Sequence, residues 1–218
     1  MNERARTIPM SVEAIERFRD FLELTVDQTY PEAPSEPHHS ISRIMMERVL
    51  TSCAIAKPGR ILDVGCGQGP ALDLLRNEGY HAVGITINDE DIRVCREHGH
   101  EVYKMDQSFL EFPPAEFDLV WSRHCLEHSV MPFVTLHGFR RVLREGGFLY
   151  LEVPAPDTAS HHESNVNHYS TLPKSAWMSL LNRCGFKVMW SNEFEFTPPA
   201  GPDTYYMFVC QKNGVANK

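Results

Sequence analysis

Residues 121–133, WSRHCLEHSVMPF, hold the densest group of reactive side chains in the chain. An imidazole with an unperturbed pKa of about 6.5 can take a proton from a nucleophile near neutral pH. His124 is therefore the first candidate for a general base, and His128 is a further candidate contact for a substrate. The alternative is that His124 shapes a pocket through hydrogen bonds and moves no proton.

A second polar segment, residues 154–172, is too rich in histidine and asparagine for a plain linker. Four of its side chains are of metal-binding types, namely His161, His162, Glu163 and His168. No second cluster is paired with them, so the sequence predicts no metal. We expect a substrate-binding loop, with a solvated insertion as the alternative. The predicted substrate contacts in it are His162, Asn167, His168 and Tyr169, and His168 is also a candidate catalytic residue.

Three glycines, Gly65, Gly67 and Gly69, follow the apolar run of residues 61–64 at alternate positions. Glycine permits positive φ and a close approach of a ligand to the backbone. The pattern predicts a strand, a tight turn and a helix whose first N–H groups can bind a carboxylate. The alternative is a tight strand-to-helix connection that binds nothing.

From residue 60 onward, short β-like runs alternate with helical patterns. The runs cover residues 60–64, 81–85, 101–104, 117–121 and 147–153, and the helical patterns cover 70–78, 89–98 and 132–144. The alternation predicts a parallel sheet with helices on both faces, because parallel neighbours need right-handed crossovers. Ligands in such sheets bind at the carboxyl ends of the strands. The glycine turn and His124 are both predicted to lie at that end of the sheet.

The two ends of the chain depart from this alternation. After a predicted helix at 173–185, strands at 186–191 and 204–211 are joined by a proline-rich segment without a helix, which predicts an antiparallel edge. At the other end, helical patterns at 11–26 and 41–56 flank a break at 30–40 that contains three prolines. We therefore predict a helical extension, residues 1–56, that closes over the site as a lid, and a main domain, residues 57–218.

The ordered set of motifs resembles the class I S-adenosylmethionine (SAM) dependent methyltransferase family. The motifs are ILDVGCGQG, VGI about twenty residues later, FDLVWSRHCLEH, FRRVLREGGFLYLEVP and RCGF. The resemblance runs from about residue 58 to residue 211. It implies a Rossmann-like α/β fold with a seven-stranded, mostly parallel sheet whose last strand is antiparallel. It also implies SAM as the methyl donor and S-adenosylhomocysteine as its product.

The resemblance also implies a set of cofactor-binding residues. The turn containing Asp63, Gly65, Cys66, Gly67 and Gly69 would contact the carboxypropyl-amine end of SAM. Asp63 would orient the turn or, through water, the ammonium group. The adenine would be bound by Asp106 and Gln107, and Ser122 and Arg123 would lie beside the methyl donor. The pair His168 and Tyr169 is similar to a His-aromatic pair in related enzymes.

The end of the second strand departs from the commoner family pattern. Many members carry an acidic residue at the position of Thr86, where it binds both ribose hydroxyls, whereas Thr86 and Ile87 here carry no charge. The sequence is similar to a subset of the family in which the next helix supplies the polar group. In that alignment Asp91 takes this position. Asp89 and Glu90 remain alternatives, or are acids that stabilise the start of the helix.

Composition limits the partners and the location. A net charge of −8 without a basic run disfavours nucleic acid and acidic membranes as partners. No apolar stretch approaches the roughly 20 residues of a membrane span. The six cysteines form no CxxC pair and the N-terminus has no apolar signal segment, so we expect a reduced, cytoplasmic protein. The expected oligomeric state is a monomer or a homodimer.

The expected function is methyl transfer to a small polar metabolite, at a hydroxyl of a sugar or natural-product intermediate. One alternative is a protein or nucleic-acid methyltransferase, which the acidic composition and the lack of a (D/N)PPY-type motif disfavour. Another is a catalytically silent SAM-binding protein, which the intact glycines disfavour.

Overall fold

The computed structural model describes residues 10–26, 31, 36 and 38–214. The helices are α1 (Val12–Val26), α2 (His38–Ser52), α3 (Pro70–Asn77), α4 (Asp89–Glu97), α5 (Pro132–Val142) and α6 (Lys174–Arg183). The strands are β1 (Arg60–Val64), β2 (His81–Thr86), β3 (Glu101–Lys104), β4 (Phe117–Arg123), β5 (Leu143–Pro154), β6 (Phe186–Phe196) and β7 (Asp203–Lys212). No helix within these described ranges is long and apolar enough to cross a membrane.

The strands form one seven-stranded sheet in the order β3-β2-β1-β4-β5-β7-β6. The first five strands pair in parallel, and β7 is antiparallel to both β5 and β6. This confirms the predicted α/β architecture with an antiparallel last strand. The edge itself is formed by β6, because β7 inserts between β6 and β5.

Two predicted boundaries differ from the structure where long-range pairing decides them. The helix predicted over 132–144 ends at Val142, because Leu143 pairs with Phe117 and begins β5. A register irregularity follows, and Gly146 adopts φ +73° there. Strand β6 continues past residue 191 to Phe196, which pairs with Asp203. Residues 193–196 alternate between glutamate and phenylalanine, and their pairing with β7 makes them part of this strand.

The hydrophobic core lies on both faces of the sheet. One cluster packs α5 and α6 against it and includes Phe139 and Trp177. The other packs α2 and α3 against the opposite face and includes Met46, Trp121 and Tyr150. Both clusters contain fully buried aromatic side chains, each of which buries a large apolar area.

The N-terminal segment divides into two parts of different burial. The buried side chains of helix α2 pack against the sheet, whereas α1 contains no buried residue. The predicted boundary at residue 56 therefore does not separate two hydrophobic cores. Closure of α1 over the site stays a prediction, and most of the predicted break at 30–40 lies outside the described residues.

Candidate functional site

Two adjoining cavities lie at the carboxyl ends of β1, β2 and β4. The larger has a volume of about 510 Å³ and the smaller about 120 Å³. Four residues line both of them, namely Gly65, Gly67, His124 and His128. The carboxyl ends of the strands, where the sequence predicts the site, therefore hold a wide and a narrow cavity with a shared wall.

The glycine turn connects β1 to α3 as predicted. All three glycines have positive φ, +71° at Gly65, +50° at Gly67 and +89° at Gly69. A Cβ on Gly65 would lie 2.6 Å from the Cys125 sulfur, and one on Gly69 would lie 3.1 Å from the His100 ring. Two of the glycines are thus required by packing against the protein itself. Gly67 lines both cavities, and its contact with SAM stays a prediction.

The Cys66 side chain lies under the turn. A Cβ on Gly84 would lie 2.8 Å from its sulfur, so β2 needs a glycine there. The Cys95 thiol lies 3.3 Å from the Gly67 carbonyl oxygen, to which it donates. The hydrogen bond with Cys95 and burial raise the pKa of the Cys66 thiol well above its usual value. Cys66 therefore supports the turn as a protonated, packed thiol.

Asp63 at the end of β1 lines the larger cavity. It is 3% exposed, and its Oδ2 has no hydrogen-bond partner among the side chains and backbone that the structure describes. Burial raises the pKa of this carboxyl to about 7. A buried carboxylate oxygen without a partner favours a cation beside it. Asp63 therefore fits the ammonium group at the amino-acid end of SAM.

The three acids at the start of α4 have different surroundings in the structure. Asp89 extends into solvent and pairs with Lys104 at 2.7 Å, and Glu90 pairs with Arg93 at 2.6 Å. Asp91 is 2% exposed and lines the smaller cavity beside Thr86 and Ile87. The Asn88 side chain caps the helix by accepting from two of its backbone N–H groups, which fixes the direction of Asp91. Of the three acids, Asp91 is the one that lines a cavity, and its contact with the ribose stays a prediction.

We expect Asp91→Ala to weaken SAM binding about 10- to 150-fold, because a hydrogen bond to a charged group contributes about 1.5–3 kcal/mol. Isothermal titration calorimetry measures the change. The matched control is Asp89→Ala, which removes an exposed acid from the same helical turn. Equal affinities of the two variants for SAM would show that Asp91 only stabilises α4 and does not bind the ribose.

The loop after β3 lines the smaller cavity through Asp106 and Gln107. The Asp106 carboxylate accepts a 2.7 Å bond from the Ser108 N–H, and the Gln107 amide donates to the Cys125 carbonyl at 2.8 Å. This second bond ties the loop to the end of β4. Both residues lie where the resemblance places the adenine, and their contact with it stays a prediction.

Ser122 and Arg123 face opposite directions at the end of β4. Ser122 is fully buried and pairs in register with Val64 and Leu151, so it presents no surface to either cavity. The predicted contact between Ser122 and the cofactor has no support in this geometry. Arg123 lines the larger cavity, forms a 2.8 Å ion pair with Glu152 and lies 3.2 Å from the ring of His38.

Both ring nitrogens of His124 face carboxylates. Its Nε2 lies 3.0 Å from Glu152 Oε1 and its Nδ1 lies 3.6 Å from Glu127 Oε1. Burial and Arg123 lower the pKa of His124, but the hydrogen bonds with Glu127 and Glu152 outweigh them and leave it raised. The backbone at His124 also adopts φ +49°, which is uncommon outside glycine. This is the geometry of a clamped hydrogen-bond donor, which disfavours the predicted general-base role.

The loop after β5 covers the larger cavity through a stack of rings. His162 lies 2.9 Å from the Asp203 carboxylate and is stacked on His168, with ring centroids 5.8 Å apart. The His168 ring meets His128 edge-on at 4.7 Å. Burial lowers the pKa of His168, which keeps its imidazole neutral over a wider pH range. The predicted loop therefore does bring His162 and His168 to the cavity.

The other predicted loop residues lie at the narrow end. Asn167 and Tyr169 line the smaller cavity, beside the residues predicted to bind the adenosine. The Asn167 carbonyl lies 3.0 Å from His128 Nδ1, and because a carbonyl oxygen only accepts, Nδ1 donates. These two residues thus lie closer to the donor side than the sequence analysis predicts.

Several cavity residues escape sequence reasoning. The larger cavity is also lined by His38, His39, Glu127 and Tyr205, and the Tyr205 ring lies 4.2 Å from that of His124. Tyr205 and Asp203 belong to β7, which reaches the site only because it pairs with β5. His38 and His39 follow a proline in the sequence. Prolines in this stretch predict a break between helices and give no indication of a site.

A family model described as a methyltransferase domain matches residues 38–197. The ubiquinone biosynthesis O-methyltransferase of Xylella fastidiosa (strain M23) is 29% identical over 128 residues, covering 56% of this chain and 52% of that protein. The 24-methylenesterol C-methyltransferase 2 of Oryza sativa subsp. japonica is 31% identical over 152 residues, covering 65% and 41%. The chain thus spans about half the length of the curated relatives it matches.

Solved structures share the fold at low sequence identity. A SAM-dependent methyltransferase from Archaeoglobus fulgidus superposes with a TM-score of 0.67 at 20% identity, covering 80% of this chain and 94% of that one. The [4+2]-cyclase SpnF superposes with a TM-score of 0.69 at 17% identity, covering 96% and 98%. Because the family model covers well over half of the chain, this protein belongs to the methyltransferase-domain family, and its seven-stranded sheet has the Rossmann-like methyltransferase fold.

Proposed function

We propose that the methyl acceptor is a small polar molecule and that the methylated atom is a hydroxyl oxygen. The observation that carries this proposal is the wide cavity, whose volume of about 510 Å³ suits a small molecule. Arg123, Glu127 and six histidines line it, and these side chains hydrogen-bond polar groups. The names of the relatives include both an O- and a C-methyltransferase, so they do not by themselves select the acceptor atom.

The chain's own residues fit SAM along the adjoining cavities. Asp63 offers an unpartnered buried oxygen to the ammonium, and the turn around Gly67 admits the amino-acid end. Asp91 and Asp106 line the narrow end, which suits the ribose and adenine. Bound there, SAM supplies an electrophilic methyl group on a sulfonium. Donor and acceptor sites then meet beside His124 and His128, which line both cavities.

The acceptor hydroxyl must be held in line and must lose its proton as it is methylated. Both ring nitrogens of His124 face carboxylates, so we assign His124 to shaping the pocket and not to taking the proton. His168 Nδ1 is buried and has no hydrogen-bond partner in the described part of the chain. The His168 end of the cavity is therefore where the hydroxyl would bind.

We expect His168→Ala to lower turnover at least about tenfold with a hydroxylated acceptor, while SAM affinity stays within a few-fold. Transfer of a labelled methyl group from SAM to a panel of sugars, phenols and amines identifies the acceptor and measures the rate. His161→Asn is the matched control, because its side chain is 73% exposed on the same loop and asparagine tolerates its φ of +47°. Labelling of amines alone, or undiminished turnover in His168→Ala, would contradict the proposal.

A further inference from the structure

We propose that Glu127, His128 and His168 form a binding site for a divalent transition-metal ion at the acceptor end of the larger cavity. One ligand atom from each residue lies within 4.8 Å of the other two. All three residues line that cavity. The set combines a residue pair from the turn after β4 with one residue from the loop after β5, so it exists only in the folded chain.

Three hydrogen bonds hold the two segments in place. The Ser170 N–H donates to the Glu127 carbonyl at 2.9 Å, and the Ser170 hydroxyl donates to the Ser129 carbonyl at 2.7 Å. His128 Nδ1 donates to the Asn167 carbonyl at 3.0 Å. The spacing of the three candidate ligands is thus set by the backbone of both segments, as a preorganised metal site requires.

The unpartnered atoms of the cluster point to a cation. Glu127 is 1% exposed; its Oε1 faces His124, and its Oε2 has no hydrogen-bond partner among the described residues. His168 Nδ1 is buried without a partner in the same way. Because Nδ1 of His128 donates to a backbone carbonyl, Nε2 carries the lone pair that can bind a metal. A carbonyl behind a ligating imidazole is a usual arrangement in metal sites.

Two imidazoles and one carboxylate select the class of ion. Imidazole nitrogen suits zinc, iron, cobalt and nickel, whereas magnesium and calcium prefer sets made of oxygen. A second His and Asp group, Asp73, His98 and His100, lies outside the cavities. Asp73 of this group already pairs with Arg76 at 2.6 Å, and the positive charge of the Arg76 side chain disfavours a metal ion there.

Three protein ligands leave coordination positions open to oxygen atoms of the acceptor. A hydroxyl bound to such an ion is more acidic than the free hydroxyl, since the metal stabilises the oxyanion. An acceptor with two neighbouring oxygens, such as a vicinal diol or a catechol, would occupy two of these positions. This part of the inference rests on the proposed hydroxyl acceptor, whereas the metal site itself does not.

The experiment uses the full chain, freed of metal with EDTA and dialysed, and titrated with Co²⁺ followed by visible absorption. We expect one Co²⁺ per chain, displaced by Zn²⁺. His128→Ala and His168→Ala should each weaken Co²⁺ binding at least about tenfold. Glu127→Gln, which keeps the side-chain volume, gives a third test if either variant fails to fold by circular dichroism. His100→Ala in the outer group is the matched control and should bind Co²⁺ normally.

Binding is read without methyl transfer, so the metal site and the proposed function can fail separately. Absence of bound Co²⁺ and Zn²⁺ in the wild type would overturn the site. So would equal Co²⁺ affinity in wild type and both histidine variants, or a loss confined to His100→Ala. If EDTA leaves the rate of methyl transfer to a hydroxyl unchanged, the metal does not take part in acceptor binding. The proposed reaction would still stand.

Discussion

The Asp63→Asn variant will bind SAM about 100-fold more weakly than the wild type. The wild-type carboxylate is buried at the cavity with an unpartnered oxygen, and a charged hydrogen bond to an ammonium contributes up to about 3 kcal/mol there. Calorimetric titration with SAM measures the loss. Asp73→Asn, on the first turn of α3, is the control and should leave the affinity unchanged. A folded Asp63→Asn protein with wild-type affinity would show that the ammonium binds elsewhere.

The same carboxylate makes SAM binding depend on pH. Because burial raises the pKa of Asp63 to about 7, the free protein carries it mostly protonated at lower pH. An ammonium stabilises the ionised form, so binding releases a proton and SAM affinity rises with pH. Between pH 5.5 and pH 7 we expect a rise on the order of tenfold in wild type. The affinity of Asp63→Asn should stay flat over this range.

The ionised Asp63 carboxylate also lowers the free energy of unfolding of the protein without SAM. Its pKa is raised from 3.8 to about 7, so between these values the folded state binds more protons than the unfolded state. Stability from this group is therefore lost as pH rises through that window. Asp63→Asn should be more stable than wild type at pH 8, by about 4 kcal/mol, in urea unfolding without ligand. A less stable variant at pH 8 would mean that the carboxylate has favourable partners in the fold.

The Glu152→Ala variant will lose about 3–5 kcal/mol of unfolding free energy. Glu152 is fully buried in β5, where it accepts a hydrogen bond from the Tyr150 hydroxyl at 2.5 Å and pairs with Arg123 at 2.8 Å and His124 at 3.0 Å. Burial raises the pKa of Glu152, but Arg123 and His124 outweigh it and keep the carboxylate ionised. Removing this anion leaves the Arg123 guanidinium and the His124 ring without their buried carboxylate partner.

Urea unfolding at pH 7 measures this loss. Glu195→Ala is the matched control, because it removes an exposed glutamate from β6 of the same sheet and should cost less than about 0.5 kcal/mol. Glu152→Gln should fall between wild type and Glu152→Ala, since it keeps the volume but loses the charge. A loss below about 1 kcal/mol in Glu152→Ala would show that water replaces the carboxylate beside Arg123 and His124.

Local patterns in the sequence were sufficient for most of the fold. Each parallel strand is a short apolar run, and its neighbours along the chain are amphipathic helices, so the α/β alternation from residue 60 follows from periodicity. The glycine turn is equally local, since three residues with positive φ need glycine. The acidic start of α4 was visible too, but burial alone distinguishes Asp91 from its exposed neighbour Asp89.

The tertiary structure alone decided the acceptor side of the site. Sheet order inserts β7 beside β5, which brings Tyr205 to His124 and Asp203 to the loop after β5. The alternation of side chains along β4 buries Ser122 and turns Arg123 to the cavity. The two carboxylates that clamp His124 come from positions 127 and 152, and only the fold brings both within reach. Such long-range pairings leave no periodic signal in the sequence, because periodicity reports which face of an element is buried and not which element covers it.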